Sequence, residues 1–397
     1  MKTTKGNRLH IGFFGKRNAG KSSIVNRILE QDLSIVSDMP GTTTDVNEKS
    51  MELLPIGPVT LMDTAGFDDV GELGELRIQK TLKALERADI AVVVFDNRSL
   101  IESDFEFLEQ IKSKNIPLLI ILNKTDKGEL CENNVKKLEG FGKILKVSAL
   151  LDDDIVLKFK NVLIKILPEE FMKENSIIKD IVKPLDTVVL VIPVDKEAPK
   201  GRLILPQVNV LRELLDIGAI GVCVRDIELK EALNKIKNPP KLVITDSQAF
   251  KKVSEIVPYD VSLTSFSILF ARNKGDLDAF VQGVEKIETL KNGDKVLILE
   301  SCTHHPVEDD IGRVKIPGLI KKFAGKDIIF EHYSGHDFPC EISKYSLIIH
   351  CGACMTTRRE VLNRIKLAQD NGVAITNYGI TIAKCLGILD RAIELFR

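Results

Sequence analysis

The sequence predicts an α/β fold of three successive domains, the last of them a doubly wound sheet. Short apolar segments bounded by turn residues alternate with helical periodicity along most of the chain, which is the pattern of strands joined by crossover helices. A chain of 397 residues is also too long for one compact core. We place the domain boundaries so that the domains span 1–172, 173–264 and 265–397, the first boundary preceding a polar, charged stretch.

Composition excludes several classes of protein. The 56 Lys and Arg residues nearly cancel the 57 Asp and Glu residues, so no net field favours nucleic acid or an anionic membrane. No apolar run approaches the roughly 18 residues of a membrane span, and the first six residues lack the apolar core of a signal peptide. Seven cysteines, an odd number, argue against a secreted disulfide framework. We therefore expect a cytoplasmic protein with no membrane or nucleic-acid partner.

A phosphate-binding loop opens the first domain. The apolar segment from Leu9 to Phe14 is followed by GKRNAGKSS and then by a helical pattern, which is a complete GxxxxGKS motif in its strand, loop and helix context. Lys21 is expected to reach the terminal phosphates and Ser22 to bind Mg²⁺. The Asn18 amide oxygen is expected to bind K⁺ against the phosphates, unless it only caps the turn. The residues expected to contact the nucleotide here are Gly15, Asn18, Ala19, Gly20, Lys21, Ser22 and Ser23.

Two further segments are expected to complete the Mg²⁺ site. Asp63 and Gly66 stand in a DTAG segment that follows an apolar strand. There the carboxylate can hold Mg²⁺ through water, and the Gly66 N–H can contact the terminal phosphate. The threonine-rich loop PGTTTD lies between the two motifs. We expect Thr43 to complete the metal shell, with Thr42 and Thr44 as alternatives.

Two more motifs select guanine. Asn123, Lys124 and Asp126 form an NKxD motif after another apolar strand. The Asp126 carboxylate can accept two hydrogen bonds from the guanine edge that adenine cannot supply, and Lys124 packs over the base. Ser148 and Ala149 are expected to donate a backbone N–H to guanine O6. The first domain is therefore predicted to be a P-loop GTPase domain. Its predicted catalytic residues are Asn18, Lys21, Thr43, Asp63 and Gly66.

The sequence of the middle segment contains no recognisable catalytic motif. Strand and helix patterns alternate from 187 to 245 and predict a small parallel or mixed sheet. Cys223 lies inside one apolar strand, and we interpret it as a core residue. A short sheet without catalytic motifs has exposed edges that can pair with another copy, so we expect a homodimer.

Cysteine and histidine residues follow two strands of the third domain. Cys302 and His304 form a CxH motif, and His350, Cys351 and Cys354 form HCxxC after 45 intervening residues. Strand ends of open sheets collect ligands, and thiolates favour zinc or iron–sulfur clusters. Three thiolates suit three corners of a [4Fe-4S] cluster, so the third sheet is predicted to carry a metal cluster. Structural zinc in a Cys3His site is the competing interpretation. The candidates for the fourth position are His304, His350, Glu308, Asp309 and an exchangeable ligand.

The remaining cysteines carry less information. Cys340 lies off the pattern as a further candidate thiolate, and Cys131 and Cys385 are interpreted as incidental. Three other histidines fit hydrogen bonding as well as metal ligation: His305, His332 and His336.

The four motifs of the first domain resemble those of the TrmE, Era and EngA branch of bacterial GTPases. Thr44 departs from that pattern, because the branch commonly has Arg in PGTTRD. Phe67 follows Gly66 where many small GTPases carry a water-positioning glutamine, so we expect hydrolysis to be slow and K⁺-activated.

Together with the plain middle domain and the CxH…HCxxC pattern, this GTPase domain resembles the [FeFe]-hydrogenase maturation GTPase, the HydF family, over essentially the whole chain. The resemblance implies a dimeric scaffold that receives the diiron subcluster precursor built with two radical-SAM maturases. It implies transfer of that precursor to the apo [FeFe]-hydrogenase. It also assigns cluster ligation to Cys302, Cys351 and Cys354, with His304 and His350 at or near the fourth position.

Two other functions stay open at this point. The first is a tRNA- or ribosome-associated GTPase with a structural zinc site, because the first domain resembles families with such roles. The near-neutral charge and the absence of a recognisable RNA module count against it. The second is a metal redox enzyme with a regulatory GTPase domain, which substrate turnover at the cluster would support.

Overall fold

The chain folds into two compact units, Met1–Glu174 and Asn175–Arg397. The computed structural model describes residues 6, 8–31, 47–64, 66, 72–97, 100–167, 176–194, 203–301, 310–335, 338–339, 341–354 and 356–397. Among these residues, every helix is too short or too polar to cross a membrane. The predicted α/β class is confirmed, and each unit is built on mainly parallel β-sheet.

The N-terminal unit contains one six-stranded sheet. Its strands are β1 (Leu9–Phe14), β2 (Asn47–Leu53), β3 (Gly57–Asp63), β4 (Ile90–Asp96), β5 (Leu118–Asn123) and β6 (Lys143–Lys146). Its described helices are α1 (Lys21–Gln31), α2 (Glu72–Arg87), α3 (Glu102–Ser113), α4 (Glu132–Glu139) and α5 (Ile155–Ile166). The strand order is β2-β3-β1-β4-β5-β6, and only β2 runs antiparallel to its neighbour.

Both faces of this sheet are covered, which is why its central strands are apolar throughout. On one face, Ile11 and Phe13 pack with residues of α1 and α5. On the other face, Phe14 and Val93 pack with residues of α2, α3 and α4. The loops after the parallel strands therefore meet at the carboxyl edge of the sheet, where ligands bind in open α/β folds.

The C-terminal unit contains two four-stranded sheets. Its strands are β7 (Thr187–Val191), β8 (Ile220–Val224), β9 (Leu242–Thr245), β10 (Ser262–Ser265), β11 (Lys295–Glu300), β12 (Ile329–Ser334), β13 (Leu347–His350) and β14 (Ala374–Asn377). Its described helices are α6 (Leu205–Ile217), α7 (Leu229–Lys235), α8 (Phe250–Ile256), α9 (Phe266–Lys274), α10 (Leu277–Val284), α11 (Ile316–Ala324), α12 (Arg358–Asp370), α13 (Tyr378–Cys385) and α14 (Leu389–Ile393). Short 3₁₀ helices span Glu285–Thr289, Ile342–Lys344 and Glu394–Phe396, and one π-helical turn spans Ile311–Lys315.

Both sheets of this unit are fully parallel, with strand orders β10-β9-β7-β8 and β12-β11-β13-β14. The two sheets share one apolar core, in which Val189 and Val243 of the first sheet belong to the same cluster as Leu297 and Ile348 of the second. Sharing of this kind makes the 175–397 segment one compact unit, although it carries two sheets.

Cys223 corrects one expectation. We interpreted it as a core residue, but its side chain is exposed on β8, the last strand of its sheet. The strand IGVCV is apolar and still only partly buried, because among the strands that the structure describes it pairs with β7 alone. An apolar edge strand of this kind is a surface on which another chain can add a strand.

Candidate functional site

The phosphate loop between β1 and α1 has the backbone of an anion-binding turn. Gly15, Asn18 and Gly20 have φ angles of 146°, 61° and 98°. A Cβ atom on Gly15 would lie 2.3 Å from the Val94 carbonyl oxygen, so a larger residue cannot take its place. Positive φ angles at these positions let the backbone turn so that N–H groups of the loop face one concavity, as in phosphate-binding turns.

Lys21 and Ser22 open α1 directly behind this loop. The Lys21 Nζ donates to the Gly15 carbonyl at 2.8 Å and to the Lys16 carbonyl at 2.9 Å, and the residue is only 8% exposed. Its charge is therefore held across the phosphate loop. Ala19 is buried within the loop, and Ser23 is exposed on the first turn of α1.

Ser22 and Asp63 come together as a Mg²⁺ site requires. The Ser22 Oγ donates to Asp63 Oδ2 at 2.7 Å, while Asp63 Oδ1 is buried and accepts no hydrogen bond from any described residue. Burial raises the pKa of Asp63, against the lowering effects of the Ser22 hydrogen bond and the Lys21 charge. A half-buried carboxylate whose buried Oδ1 accepts no hydrogen bond from the described residues fits a divalent cation, because the cation would compensate both the lost hydration and the missing donor. Gly66 lies buried just beyond.

Asn123 links the phosphate loop to the loop after β6. Its Nδ2 donates to the Ala19 carbonyl at 2.9 Å, and its Oδ1 accepts from the Ala149 N–H at 3.0 Å. Lys124 adds a second link, because its Nζ donates to the Asn18 carbonyl at 2.6 Å and to Asp96 Oδ2 at 3.0 Å. The base-recognition segment therefore stands in fixed register with the phosphate site.

Asp126 is oriented by Ser148. The Ser148 Oγ donates to Asp126 Oδ1 at 2.7 Å, and this hydrogen bond lowers the pKa of Asp126. An ionised carboxylate at this position accepts hydrogen bonds only, which suits the two neighbouring donors on the guanine edge. The backbone N–H groups predicted to reach guanine O6 are engaged here, since Ser148 donates to Asp152 Oδ2 at 2.8 Å and Ala149 donates to Asn123. Either donation would have to open for contact with the base.

Sequence reasoning missed one partner of the phosphate loop. Lys16, within the loop, lies 2.8 Å from the carboxylate of Asp104 on α3. Asp104 is 1% exposed and also accepts from the Ile101 N–H at 2.9 Å, at the start of that helix. The pair fixes the loop to α3. No motif signals a contact between residues so far apart in sequence.

The HCxxC segment forms a loop at the end of β13. The Cys351 N–H donates to the Leu299 carbonyl at 2.9 Å, which continues the pairing of β13 with β11. The Ser301 N–H donates to the Cys351 Sγ at 3.1 Å. Burial raises the pKa of the Cys351 thiol, whereas hydrogen bonding from Ser301 lowers it. The Ser301 N–H therefore favours the thiolate of Cys351, which is the form that binds metals.

His350 lies beneath this loop, 1% exposed, with both ring nitrogens engaged. Its Nδ1 is 2.8 Å from the Cys351 carbonyl oxygen, which can only accept, so Nδ1 carries the hydrogen. Its Nε2 is 2.9 Å from the Arg364 guanidinium and accepts from it. In this arrangement His350 supports the loop and offers no free lone pair to iron.

Several predicted residues lie outside the described part of the chain. They are Thr42, Thr43, Thr44, Phe67, Cys302, His304, Glu308, Asp309 and Cys340. Cys354 is described and half-buried at the end of the HCxxC loop. With Cys302 outside, the described residues contain no group of three or more His, Cys, Asp or Glu side chains that could hold a metal ion.

Three family models match the chain. Residues 10–124 match the family described as 50S ribosome-binding GTPase. Residues 177–275 match the hydrogen maturase F dimerization domain, and residues 278–395 match the hydrogen maturase F tetramerization domain. The chain therefore carries a P-loop GTPase domain followed by two domains that are named for self-association.

Curated relatives resemble only part of the chain. The tRNA modification GTPase MnmE of Caldicellulosiruptor saccharolyticus is 33% identical over 227 residues, which is 56% of this chain and 45% of that protein. MnmE of Clostridioides difficile is 40% identical over 144 residues, 36% of this chain and 31% of that protein. This chain thus spans less than half the length of these relatives. Among solved structures, Era of Aquifex aeolicus matches at 20% identity over 57% of this chain and 97% of that chain, with a TM-score of 0.33.

The two maturase models are contiguous and belong to a single kind of protein, and the GTPase model accounts for the segment before them. This order of domains agrees with the resemblance drawn from the motifs. The chain belongs to the hydrogen maturase F (HydF) family, with an N-terminal P-loop GTPase domain.

Proposed function

We propose that this protein is a GTP-hydrolysing scaffold that holds the diiron subcluster precursor on a [4Fe-4S] cluster and transfers it to apo [FeFe]-hydrogenase. The observation that carries the proposal is the hydrogen bond from the Ser301 N–H to Cys351 Sγ, at a strand end of a chain that also carries the Ser148–Asp126 pair of a guanine-recognition motif. A structural cysteine in a core has no need of such stabilisation.

The cluster would be held by Cys302, Cys351 and Cys354. Two features of the loop fit it: Cys351 and Cys354 stand in one short loop, and the Sγ of Cys351 accepts an N–H from Ser301, as sulfurs of iron–sulfur ligands do. When bound, the cluster would supply an iron without a cysteine ligand, to which the diiron unit attaches. Of the two histidines His304 and His350, we assign His304 to that fourth position, because His350 is hydrogen-bonded at both ring nitrogens.

The nucleotide site would act as a switch. Lys21 and Mg²⁺, held by Ser22, Asp63 and Thr43, would neutralise the developing charge on the phosphates, and the Gly66 N–H would contact the terminal phosphate. K⁺ at Asn18 would add positive charge that an arginine supplies in other GTPases, and the side chain of Asn18 is exposed at the loop where such an ion would bind. Without a glutamine after Gly66, hydrolysis is slow. Changes in the switch loops would then alter contacts with partners.

The partners would be the apo-hydrogenase and two radical-SAM maturases, all in the cytoplasm. The scaffold itself would be a homodimer. The outer edge of β8 is our candidate for the dimer surface, since Ile220 is 49% exposed there and β7 is the only described strand that pairs with β8.

A proline at Cys223 should abolish the dimer without unfolding the sheet. The Ile220 N–H bonds to Asp186 and the Val224 carbonyl bonds to Ile192, so the two-residue period of the ladder turns the N–H of Cys223 away from β7. Proline at that position removes only an outward-facing donor, as edge strands tolerate. We expect Cys223→Pro to be monomeric by light scattering and Cys223→Ser to remain dimeric. Dimers of both variants would place the interface elsewhere.

Transfer can be tested directly. Wild type, Cys351→Ser and the exposed-cysteine control Cys131→Ser would be expressed with both maturases, purified without oxygen and mixed with apo-hydrogenase. Hydrogen evolution is expected with wild type and with Cys131→Ser, and a loss of at least about tenfold is expected with Cys351→Ser, because removal of a thiolate ligand costs metal affinity. Equal activation by all three proteins would reject the carrier function.

A second function is favoured by one observation, the similarity of the GTPase segment to tRNA modification GTPases at 33–40% identity. In that case the HCxxC loop would hold structural zinc, and the protein would act on tRNA or the ribosome. RNA that copurifies at moderate salt, together with one zinc per chain and no iron uptake, would establish this alternative.

A further inference from the structure

A buried lysine lies beneath the HCxxC loop. Lys274 is the last residue of α9 and is only 4% exposed. Its Nζ donates to the Ala353 carbonyl at 3.1 Å and to the Thr356 carbonyl at 2.9 Å. A lysine is rarely buried to this degree, because removing an ammonium from water is costly unless hydrogen bonds or charges compensate. We therefore expect the buried ammonium of Lys274 to have a role in the HCxxC loop.

The lysine shapes the loop from one side. Ala353, between the two cysteines, has a φ of 55°, which turns its carbonyl toward Lys274. The Cys351 carbonyl is held in the same way by the His350 Nδ1–H. In a planar trans peptide the C=O and the following N–H point in opposite directions. The N–H groups of Gly352 and Cys354 therefore point away from the groups that bind these carbonyls.

Arg364 is a second buried cation near the loop, and its contacts differ from those of Lys274. Its guanidinium donates to His350 and also forms a buried ion pair with Glu360 at 2.8 Å. The Arg364 charge is thus compensated within its own helix, α12. Lys274 comes instead from α9, a different element, and contacts the loop backbone itself.

We propose that Lys274 is a positioning residue for the metal cluster: it holds the HCxxC loop with its amide N–H groups turned toward the sulfurs, and its positive charge raises the reduction potential of the cluster. A cluster bound by thiolates becomes more negative on one-electron reduction, so a nearby cation in a low-dielectric surrounding stabilises the reduced state more than the oxidised state. This inference rests on the proposed function of the loop as a cluster site.

Two substitutions separate the roles of geometry and charge. Lys274→Gln keeps N–H donors but removes the charge, whereas Lys274→Arg keeps the charge but cannot place one nitrogen against both carbonyls. Lys384→Gln is the matched control, because Lys384 is a largely buried lysine of the same unit that pairs with Glu285 and Glu288. Each full-length protein would be reconstituted without oxygen using iron and sulfide, and its midpoint potential measured by an EPR-monitored redox titration.

Lys274→Gln is expected to assemble the cluster and to shift its potential to more negative values. At the wild-type midpoint, the ratio of reduced to oxidised cluster should fall about tenfold, which corresponds to about 59 mV for one electron. Lys274→Arg and Lys384→Gln should keep the wild-type potential, while Lys274→Arg takes up iron more slowly. A merely structural lysine would not produce this division between the two variants.

The outcomes distinguish this inference from the function beneath it. If wild type assembles the cluster and Lys274→Gln has the wild-type potential, the role of the charge is rejected and the cluster site stands. If Lys274→Gln does not fold, iron uptake by Lys274→Arg decides, and an unchanged uptake rate rejects the positioning role. If wild type itself assembles no cluster, the proposed function fails and this inference with it.

Discussion

Replacement of Asp126 by asparagine is expected to move the nucleotide preference from GTP to XTP. The carboxylate is fixed by Ser148 Oγ at 2.7 Å and presents only acceptors to the two donors of the guanine edge. An asparagine amide would set its NH₂ group against the guanine amino group. The same NH₂ group can donate to the carbonyl that xanthine carries at that position. We expect GTP affinity to fall by about two orders of magnitude or more, as in sites built to hydrogen-bond a substrate N–H.

Calorimetric titration of both nucleotides into Asp126→Asn measures this change. Asp152→Asn is the matched control, because Asp152 accepts the Ser148 backbone N–H in the same loop without the predicted contact to the base. The control should keep the preference for GTP. If Asp126→Asn also kept it, the assignment of Asp126 to the guanine edge would be wrong.

Replacement of Glu213 by alanine is expected to cause the largest loss of stability in the C-terminal unit. This carboxylate on α6 is 8% exposed and accepts from the N–H groups of Ile177, Ile178 and Lys179 at 3.0–3.1 Å. It also accepts from the Ser176 hydroxyl at 2.9 Å. Removing the carboxylate leaves several donors without their acceptor. Hydrogen bonds to a charged group contribute about 1.5–3 kcal/mol each. We expect a loss of about 3 kcal/mol or more in unfolding free energy.

Urea unfolding of the full-length chain, followed by circular dichroism, provides the measurement. Glu213→Gln keeps one acceptor oxygen and should lose less than Glu213→Ala. Glu231→Ala on α7 is the control, since the Glu231–Lys235 pair is mostly exposed, and it should change stability by under about 0.5 kcal/mol. Equal effects of the Glu213 and Glu231 alanine variants would show that the turn from 176 to 182 does not depend on this carboxylate.

The elements that carry motifs were predictable because their signals are local. The apolar segments before the phosphate loop and before NKxD are β1 and β5, and both are buried on both faces. By contrast, β2 was not predicted, since its sequence NEKSMEL is polar and it becomes a strand only by pairing with β3. Cys223 was misplaced for the same kind of reason: an apolar strand does not reveal whether it lies at a sheet edge or in the centre.

Side chains that reach across the fold were not predictable. Asp104 binds Lys16 and Lys274 binds the HCxxC loop only because helices far along the chain pack beside those loops. His350 shows the same limit, because its place in the motif indicated a ligand, whereas Arg364 and the Cys351 carbonyl engage both ring nitrogens. Sequence spacing therefore predicted which loops carry the candidate residues, but the hydrogen-bond partners of those residues come from tertiary packing.

The central claim is that the HCxxC loop holds an iron–sulfur cluster. The most direct measurement is the iron, sulfide and zinc content of anaerobically reconstituted protein, combined with EPR of the dithionite-reduced sample. We predict about four irons per chain and a cubane signal in wild type, and loss of that signal in Cys302→Ser, Cys351→Ser and Cys354→Ser but not in Cys131→Ser. One tightly bound zinc per chain, with no iron uptake and no signal, would contradict the account.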